Sequence, residues 1–346
     1  MITYRYRIKN PGTLPELAQA VNLVWNFCAE TQRRAQGWGR RWPTTFDLNR
    51  LLAGSSRAGL PVGSVVFEAV AARFAQARDT HRRSPRWRTS LGSRRSLGWV
   101  PFRAACRAIQ VHGDTVVFHK RRYRLWYHRP VEGEIRCGCF VEDSRGRWYL
   151  CLDCEVPENL GTCGNGVTAL DLGLMSLATC SDGTRIENGR HYAQFELALA
   201  TAQRAGRRDR VRALHAKIKA RRRHDLHVAT RKIVRHNRFI VVGDVNVGAK
   251  KSTLDAAWST FRCMLRYKAR RHGARYVEVS EAWSTQLCSE CGALGGPQGI
   301  AGLGVREWQC RCGARHDRDV NAARNLLGFA LSGQSTDLQL TESRRF

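Results

Sequence analysis

Residues 281–325 read EAWSTQLCSECGALGGPQGIAGLGVREWQCRCGARHDRDVNAARN and contain four cysteines in two close pairs. Cys288 and Cys291 form the first pair, and Cys310 and Cys312 form the second after a gap of 18 residues (292–309). Two thiolates from each pair complete the tetrahedral ligand set of one Zn²⁺ ion, and the chain between them folds back as a ribbon. The sequence therefore predicts a zinc ribbon over residues 286–312.

An acidic and amide cluster directly follows the second cysteine pair. Asp317, Asp319 and Asn321 lie at the start of a run with helical spacing. Carboxylate oxygens are the ligands that hard divalent cations prefer. A zinc-stabilised platform beside carboxylates favours nuclease-like chemistry over a zinc finger that reads bases.

Composition indicates a nucleic-acid partner. The 346 residues carry a formal net charge of +29, most of it from arginine, and such a charge is self-repulsive unless a polyanion is bound. No apolar run reaches the roughly 20 residues that cross a bilayer, and MITYRYRIKN lacks the apolar core of a signal peptide. We therefore interpret the 13 cysteines as zinc ligands and core residues. We predict a cytoplasmic, nucleoid-associated protein of bacterial type without a membrane partner.

Local patterns divide the chain into an α+β multidomain protein. Residues 1–10 alternate like a strand, 15–38 and about 63–82 have helical spacing, and 83–105 are basic and aromatic without a regular period. Residues 109–156 alternate again between Gly/Asp turns. We assign a β-barrel to 1–10 and 105–160, interrupted by a helical lobe at 11–104. An α/β domain is assigned to 161–285 and 313–331, and a flexible tail to 332–346.

Asp171 lies in TALDLGLMSLAT, which has the composition of a buried strand. A carboxylate in such a place must be paired, hydrogen-bonded or metal-bound, and for a single aspartate a cap at the end of a strand is the simpler interpretation. The order of the elements that follow Asp171 favours a metal-bound carboxylate over a simple cap. The order along the chain is a strand with an aspartate, a helix, a strand, a strand with an acid, and an aspartate before a helix, which is the order of an RNase H-like nuclease. In such a site three carboxylates hold two divalent ions about 4 Å apart.

At this point the chain resembles a known family. GVTALDLGLMSLATCSDG, FIVVGDVNV and CSECG…CRCGARHDRDVNAARNLL are similar to the three RuvC motifs and the zinc ribbon of TnpB proteins. These are transposon-associated RNA-guided DNA endonucleases, related to type V CRISPR effectors and Fanzor proteins. YRYRIKN, VWNFCAE and GRWYLCLDCEVP extend the resemblance to the N-terminal part. One departure is the second cysteine pair, which is C-x-C where C-x-x-C is commoner.

The resemblance implies a wedge β-barrel with a helical recognition lobe, followed by a RuvC nuclease domain that carries the zinc ribbon. It also implies Mg²⁺ (or Mn²⁺) and Zn²⁺ as cofactors. The implied partners are a guide RNA and double-stranded target DNA with an adjacent motif, with the protein acting as a monomer or a dimer on one RNA. A nuclease-inactive, RNA-guided DNA-binding repressor of the same fold is the alternative.

A second departure concerns the usual glutamate of the second motif, which is Gly243 in this chain. Asp244 is adjacent, but strand alternation turns it to the opposite face. The resemblance to Fanzor proteins points to Glu281 as a relocated ligand, with Glu278 as the next candidate. In the third motif we select Asp319 over Asp317. The predicted catalytic and magnesium-binding residues are therefore Asp171, Glu281 and Asp319.

Several basic or aromatic residues are predicted to contact nucleic acid, because aromatic rings stack on bases while guanidinium groups contact phosphates. They are Arg86, Trp87, Arg88, Arg103, Lys120, Arg121, Arg122, Arg207, Arg208, Arg221, Arg222 and Arg223. A second cysteine set, Cys137, Cys139, Cys151 and Cys154, also has ligand-like spacing. It falls in alternating strands, so we predict buried core positions for it.

Overall fold

The computed structural model describes residues 1–56, 59–104, 109–156, 161–244, 257–299 and 301–333. The chain divides into two compact units, Met1–Pro157 and Glu158–Phe346. Most of the tail predicted at 332–346 lies outside the described residues. Among the helices that the structure describes, none is both long and apolar enough to cross a membrane.

The first unit contains one antiparallel sheet and three helices. The helices are α1 (Leu14–Gly37), α2 (Thr45–Gly54) and α3 (Ser64–His81). The strands are β1 (Ile2–Ile8), β2 (Trp99–Arg103), β3 (Ile109–His112), β4 (Thr115–Phe118), β5 (Arg121–Trp126), β6 (Glu134–Glu142) and β7 (Trp148–Glu155), in the spatial order β2-β6-β7-β1-β5-β4-β3.

This sheet curls around a single apolar core, as predicted for a barrel. Phe102 on β2 packs against Phe118 on β4, with ring centroids 5.3 Å apart, although four strands separate β2 from β4 in the sheet order. Such a contact requires the sheet to bend back on itself. Leu17 and Val21 of α1 and Phe74 of α3 join the same core cluster, so the helices cover the barrel.

Residues 99–103 correct the predicted boundary of the helical lobe, since they form the barrel strand β2 rather than irregular basic chain. Flanking arginines hide the short apolar pattern, and Pro101 argues against a strand unless the strand lies at a sheet edge, which is where β2 lies. Phe102 is 1% exposed and Trp99 packs edge-on against Trp25. The Phe102 ring is therefore not free to stack on a base.

Helix α2 was not predicted, because its segment contains Gly and Pro and few apolar residues. Its start is nevertheless encoded locally. The Thr44 hydroxyl accepts a hydrogen bond from the Asp47 backbone N–H (3.2 Å), and the Asp47 carboxylate accepts one from the Thr44 N–H (2.9 Å). This reciprocal capping box satisfies two N–H groups that would otherwise lack partners.

The second unit contains a five-stranded sheet in the order β10-β9-β8-β11-β12. Its strands are β8 (Gly166–Asp171), β9 (Ser176–Cys180), β10 (Arg185–Glu187), β11 (Asn237–Gly243) and β12 (Arg275–Val279). β8, β9 and β10 pair antiparallel, whereas β11 and β12 run parallel to β8. This mixed order, with three meandering strands followed by two parallel ones, is the RNase H-like topology that the motif order predicted.

Helices cover both faces of that sheet. They are α4 (His191–Arg204), α5 (Arg208–His236), α6 (Trp258–His272) and α7 (Arg318–Ser332). α5 and α6 bury Ile233 and Phe261 against Leu170 and Val242. α7 buries Leu326 against the alternate residues of the same strands, including Ala169 and Val241. Between β12 and α7 lie a short 3₁₀ turn (Ala301–Gly304) and the hairpin of β13 (Glu307–Gln309) and β14 (Arg315–Asp317).

Candidate active site

Three of the predicted positions meet at the carboxyl-terminal edge of the second sheet. Asp171 is the last residue of β8 and Gly243 is the last residue of β11. The parallel register pairs Leu170 with Val242, and Gly243 with Val279 on β12. Glu281 follows two residues after Val279. Open α/β sheets place ligands at this edge, because the strands end there and the loops that follow can supply polar groups.

Helix α7 brings Asp319 to the same edge. Leu326 anchors the helix on β8, β11 and β12, and Asp319 lies one and a half to two turns earlier, in the first turn. The Asp317 carboxylate caps the helix by accepting the Asp319 and Val320 N–H groups at 3.1 and 3.0 Å, and it also pairs with Arg185 at 2.6 Å. Because both Asp317 oxygens are engaged, Asp319 is the more available carboxylate. Its described ion-pair contact is Arg306 at 3.6 Å.

Gly243 and Glu281 occupy complementary space. A Cβ atom added at Gly243 would lie 2.6 Å from the Cγ atom of Glu281 and closer still to its Oε1 atom. Real Cβ atoms do not approach carbon atoms that closely, so a side chain at 243 and the present position of Glu281 exclude each other. The Glu281 carboxylate therefore fills the volume next to the end of β11 that a side chain at 243 would need.

The electrostatics of the edge are those of crowded acids. Burial raises the pKa of Asp171 well above its usual value, and the negative charges of Glu281 and Asp319 raise it further, while Arg318 acts in the opposite direction. Burial also raises the pKa of Glu281 to about 7, with a contribution from Asp244 and opposition from Arg262. Carboxylates held together against their own repulsion are typical of a site that binds a cation.

The donor set fits a hard divalent cation. The Glu281 Oε1 atom is buried and has no hydrogen-bond partner among the residues that the structure describes, and a buried carboxylate oxygen normally has one. Oxygen ligands of this kind select Mg²⁺ or Mn²⁺ over Zn²⁺. Among the described residues, only the four ribbon cysteines form a group of three or more ligand atoms that all lie within 4.8 Å of one another. The oxygens of the three carboxylates therefore do not all lie within 4.8 Å of one another.

The two other acids considered from the sequence have protein partners. Asp244 is exposed and its carboxylate accepts a hydrogen bond from Arg262 at 2.7 Å. Glu278 accepts hydrogen bonds from Arg266 at 2.7 Å and from the Tyr276 hydroxyl at 2.6 Å. Both are therefore structural ion-pair residues on the side of α6.

The ribbon cysteines are arranged as a tetrahedral zinc site requires. The Sγ atoms of Cys288 and Cys312 lie 3.8 Å apart, and those of Cys291 and Cys310 lie 3.7 Å apart. Zn–S bonds of about 2.3 Å in a tetrahedron place sulfur atoms about 3.8 Å apart. The shortened C-x-C pair is thus compatible with four thiolate ligands. Sequence reasoning missed His316, which is buried and has its Nε2 atom 3.0 Å from Cys288 Sγ.

Two asparagines of α7 bind the segment that joins Glu281 to the ribbon. Asn321 donates to the carbonyls of Ser284 (3.3 Å) and Leu287 (2.8 Å) and accepts the Ser289 N–H (2.9 Å). Asn325 donates to the same two carbonyls at 2.7 Å each. This clasp holds the chain between Glu281 and Cys288 against the helix that carries Asp319. The signal in the sequence was two asparagines four residues apart, which share one helix face.

The shared carbonyls lead to a prediction for stability. Asn325→Ala should lower the free energy of unfolding by about 1 kcal/mol, because Asn321 still serves both carbonyls. Asn321→Ala together with Asn325→Ala should cost more than the sum of the single changes, about 3 kcal/mol or more, because two buried carbonyls then lack a donor. Denaturant unfolding of the two single variants and the double variant measures this, and additive losses would contradict the clasp.

The residues predicted to contact nucleic acid differ in their exposure to solvent. Arg88 is half-buried: its Nε donates to Asn22 (2.6 Å), its Nη2 donates to the Leu97 carbonyl (2.7 Å), and its guanidinium lies over Trp25 and Trp99. It is a packing residue, which corrects its assignment as a free contact. Arg222 is half-buried, and the others are exposed, namely Arg86, Trp87, Arg103, Lys120, Arg121, Arg122, Arg207, Arg208, Arg221 and Arg223.

The second cysteine set does not share one environment. Cys154 is buried in the barrel core as predicted, whereas Cys137, Cys139 and Cys151 are half-buried on the other face of the sheet. Strand alternation separates them, because odd and even residues of β7 point to opposite faces. Cys139 lies directly opposite Cys151 in the β6–β7 register. The prediction of core positions is therefore correct for Cys154 alone.

Two family models match the chain between residues 150 and 326. One, described as "Probable transposase", matches residues 150–253, and the other, described as "Cas12f1-like, TNB domain", matches residues 258–326. A "Putative RNA-guided DNA endonuclease" of Streptomyces pristinaespiralis is 37% identical over 214 residues, which are 56% of this chain and 52% of that protein. "Putative RNA-guided DNA endonuclease InsQ" of Escherichia coli K12 is 28% identical over 242 residues, 60% of this chain and 59% of that protein.

The chain thus spans between half and two thirds of the length of these relatives. Among solved structures, a Cas12f1–sgRNA–target DNA complex aligns with 94% of this chain and 99% of that chain at 12% identity, with a TM-score of 0.38. A structural similarity this weak supports no inference about function.

The fold and the site define the class: an RNase H-like domain with acids at its strand ends, joined to a four-cysteine ribbon. The transposase model covers the strand that carries Asp171, and the TNB model covers the ribbon and most of the third motif. With the relatives above, these matches support the resemblance to TnpB-type proteins over this part of the chain.

Proposed function

We propose that this chain is an RNA-guided DNA endonuclease. In this proposal it binds a guide RNA, recognises a short adjacent motif on duplex DNA, and cleaves the target with divalent cations held by Asp171, Glu281 and Asp319. Pairing between guide and target would read the sequence, while basic protein surfaces contact backbones. The names of the relatives supply the substrate class, and the net charge of +29 suits two polyanionic partners.

The observation that carries the proposal is the Glu281 carboxylate beside Gly243. The glycine alone would indicate an inactive nuclease, because the second motif has lost its acid. The close packing of Glu281 on Gly243 returns a carboxylate to the end of β11, where its orphaned Oε1 atom is suited to a cation.

Each of the three acids has a distinct place in the proposed site. Asp171 would hold the cations together with Glu281 and Asp319, whose negative charges raise its pKa. Glu281 approaches from the β11 side, and Asp319 approaches from the first turn of α7, where the helix dipole favours a negative side chain. The chemistry that Mg²⁺ or Mn²⁺ ions supply when bound is activation of a water nucleophile and stabilisation of the leaving oxygen of a phosphodiester.

The ribbon cysteines are proposed to hold a structural Zn²⁺ ion. All four positions of the tetrahedron are filled by thiols, so no ligand position remains for substrate, and the role is structural. Through the Asn321 and Asn325 clasp, the ribbon would maintain the spacing between Glu281 and Asp319.

Plasmid cleavage tests the proposed function. The protein is purified with its bound RNA, that RNA is sequenced, and a plasmid carrying the matching target is incubated with Mg²⁺. Asp171→Ala should lower the cleavage rate by at least about 1,000-fold, equivalent to about 4 kcal/mol of transition-state stabilisation. Asp182→Ala, which removes an acid from the β9–β10 turn, is the matched control and should cleave normally.

The alternative is a nuclease-inactive, RNA-guided DNA-binding repressor, which the replacement of the usual acid by Gly243 favours. Target binding by the wild-type protein without any cleavage would support this alternative and reject the endonuclease. Cleavage that persists after complete removal of RNA would reject RNA guidance.

A further inference from the structure

A basic cleft lies at the carboxyl ends of α5 and α6, on residues that the proposed active site does not use. It is lined by Gly161, Arg231, Arg235, Arg271 and His272. Arg231 and Arg235 are four residues apart on α5 and therefore project from the same side of the helix. Arg271 and His272 belong to the last turn of α6.

The cleft is held by contacts between its walls. Lys268 of α6 donates to the His227 carbonyl (2.8 Å) and to the Thr230 hydroxyl (2.6 Å) of α5, which joins the two helices. The Gly161 N–H donates to the Arg271 carbonyl at 3.2 Å. A Cβ atom at Gly161 would lie 2.8 Å from His272 Nδ1, so glycine allows the backbone to lie against the imidazole ring. The cationic groups are therefore presented on a packed scaffold.

Two arginines of the cleft carry charge that the described carboxylates do not compensate. In the part of the chain that the structure describes, neither Arg231 nor Arg235 forms an ion pair with a carboxylate. Burial lowers the pKa of His272, and the charges of Arg271, Arg235, Lys268 and Arg231 lower it further. Burial lowers the pKa of Lys268 to about 8, with a contribution from Arg231. These groups therefore lie in one shared positive field.

The helix dipoles explain only part of this arrangement. Cations in the last turn stabilise a helix, since each carboxyl end carries about half a negative charge. The two helix ends together supply about one negative charge, against the three side chains of Arg231, Arg235 and Lys268. A surplus of about two positive charges remains, and neighbouring like charges repel one another unless an anion is bound.

We propose that this cleft binds the phosphodiester backbone of a nucleic acid, with Arg231 and Arg235 contacting phosphates. Guanidinium groups match phosphate oxygens with paired N–H donors. The inference rests on the proposed function for the identity of the strand, since guide RNA and target DNA share this chemistry. The phosphate-binding cleft itself depends on the charge and geometry above and not on cleavage.

The test compares Arg231→Gln/Arg235→Gln with a control of equal charge loss, Arg136→Gln/Arg145→Gln. Arg136 and Arg145 are paired with carboxylates at 2.6–2.8 Å, so their charge is already compensated. All variants carry Asp171→Ala, which keeps the nucleic acids intact. In the first arm the dissociation constant for the co-purified RNA is measured from low to high salt. In the second arm the target duplex is added to RNA-bound protein.

We expect the cleft variant to lose affinity about 10-fold or more in one arm at low salt. Its plot of log affinity against log salt should flatten by about 1.4 for single-stranded RNA or about 1.8 for duplex DNA, which corresponds to two lost phosphate contacts. The control should change the slope by less than half as much. The arm that responds identifies the strand.

Two results would reject phosphate binding by the cleft. One is an unchanged salt slope in both arms, and the other is an equal change of slope in the Arg136→Gln/Arg145→Gln control. Arg231→Lys/Arg235→Lys keeps the charge and should retain most of the slope. If the glutamine pair does not fold, as judged by its thermal unfolding, the single variants Arg231→Gln and Arg235→Gln replace it, each with half the expected change. If the wild-type protein binds RNA through the cleft but never cleaves DNA, the proposed endonuclease function is rejected while phosphate binding by the cleft is retained.

Discussion

Glu281→Ala should abolish target cleavage, with a fall of at least about 1,000-fold and little effect on nucleic-acid or zinc binding. Gly243→Ala should also be severe while Glu281 is present, because the added Cβ atom would take the space of the carboxylate. The displaced side chain is expected to lower the free energy of unfolding by about 1–3 kcal/mol as well. Plasmid cleavage and denaturant unfolding measure the two effects.

The combined variants make the prediction specific. Glu281→Ala with Gly243→Glu returns a carboxylate to the end of β11 and should restore part of the cleavage. Glu281→Ala with Gly243→Ala fits sterically but supplies no acid, so it should fold and remain inactive. Full activity of Glu281→Ala alone would show that the third acid lies elsewhere. A Gly243→Ala variant as active as the wild type would show that the packing is not restrictive.

The second large effect concerns the zinc ribbon. Cys288→Ser with Cys291→Ser should release zinc and lower cleavage by at least about 100-fold, although neither residue is part of the proposed catalytic set. Structural zinc sites contribute about 10–16 kcal/mol of apparent binding free energy, so the ribbon should not stay folded without its ion. The segment held by Asn321 and Asn325 would then detach, and Glu281 and Asp319 would lose their fixed spacing.

Zinc content per protein and cleavage rate are measured together in this experiment. Cys263→Ser is the matched control, because Cys263 is an exposed free cysteine on α6 outside the ribbon. It should keep both zinc and cleavage. A zinc-free ribbon variant that still cleaves at the wild-type rate would separate the ribbon from the active site.

Much of the fold was predictable because its signals are local. Alternation and helical spacing predicted the barrel strands, α1, α3 and the strands of the second sheet, since burial on one face imposes those periods. β2 and α2 escaped this reasoning. The two apolar core residues of β2 lie among arginines and beside Pro101, and α2 depends on a capping box rather than on an apolar stripe.

Some residues of the candidate site could likewise be predicted from the sequence, and others could not. The four zinc cysteines, Asp171 and the choice between Asp317 and Asp319 could be named from spacing and resemblance. The asparagine clasp, the Arg185 contact to Asp317 and the approach of His316 to Cys288 could not. Each of these joins residues far apart in sequence, and no local pattern specifies which side chains will meet.

By itself the sequence determined which chemical groups are available: four thiols in two pairs, acids at strand ends, a glycine where an acid is usual, and a large excess of arginine. Only the tertiary structure decided how Gly243 and Glu281 are related. The register of β11 and β12 places residue 281 beside residue 243, and hard-sphere repulsion lets only one of them carry a side chain into that space. A distance between residues 38 positions apart depends on the packed sheet, so the sequence could name the acid but not its place.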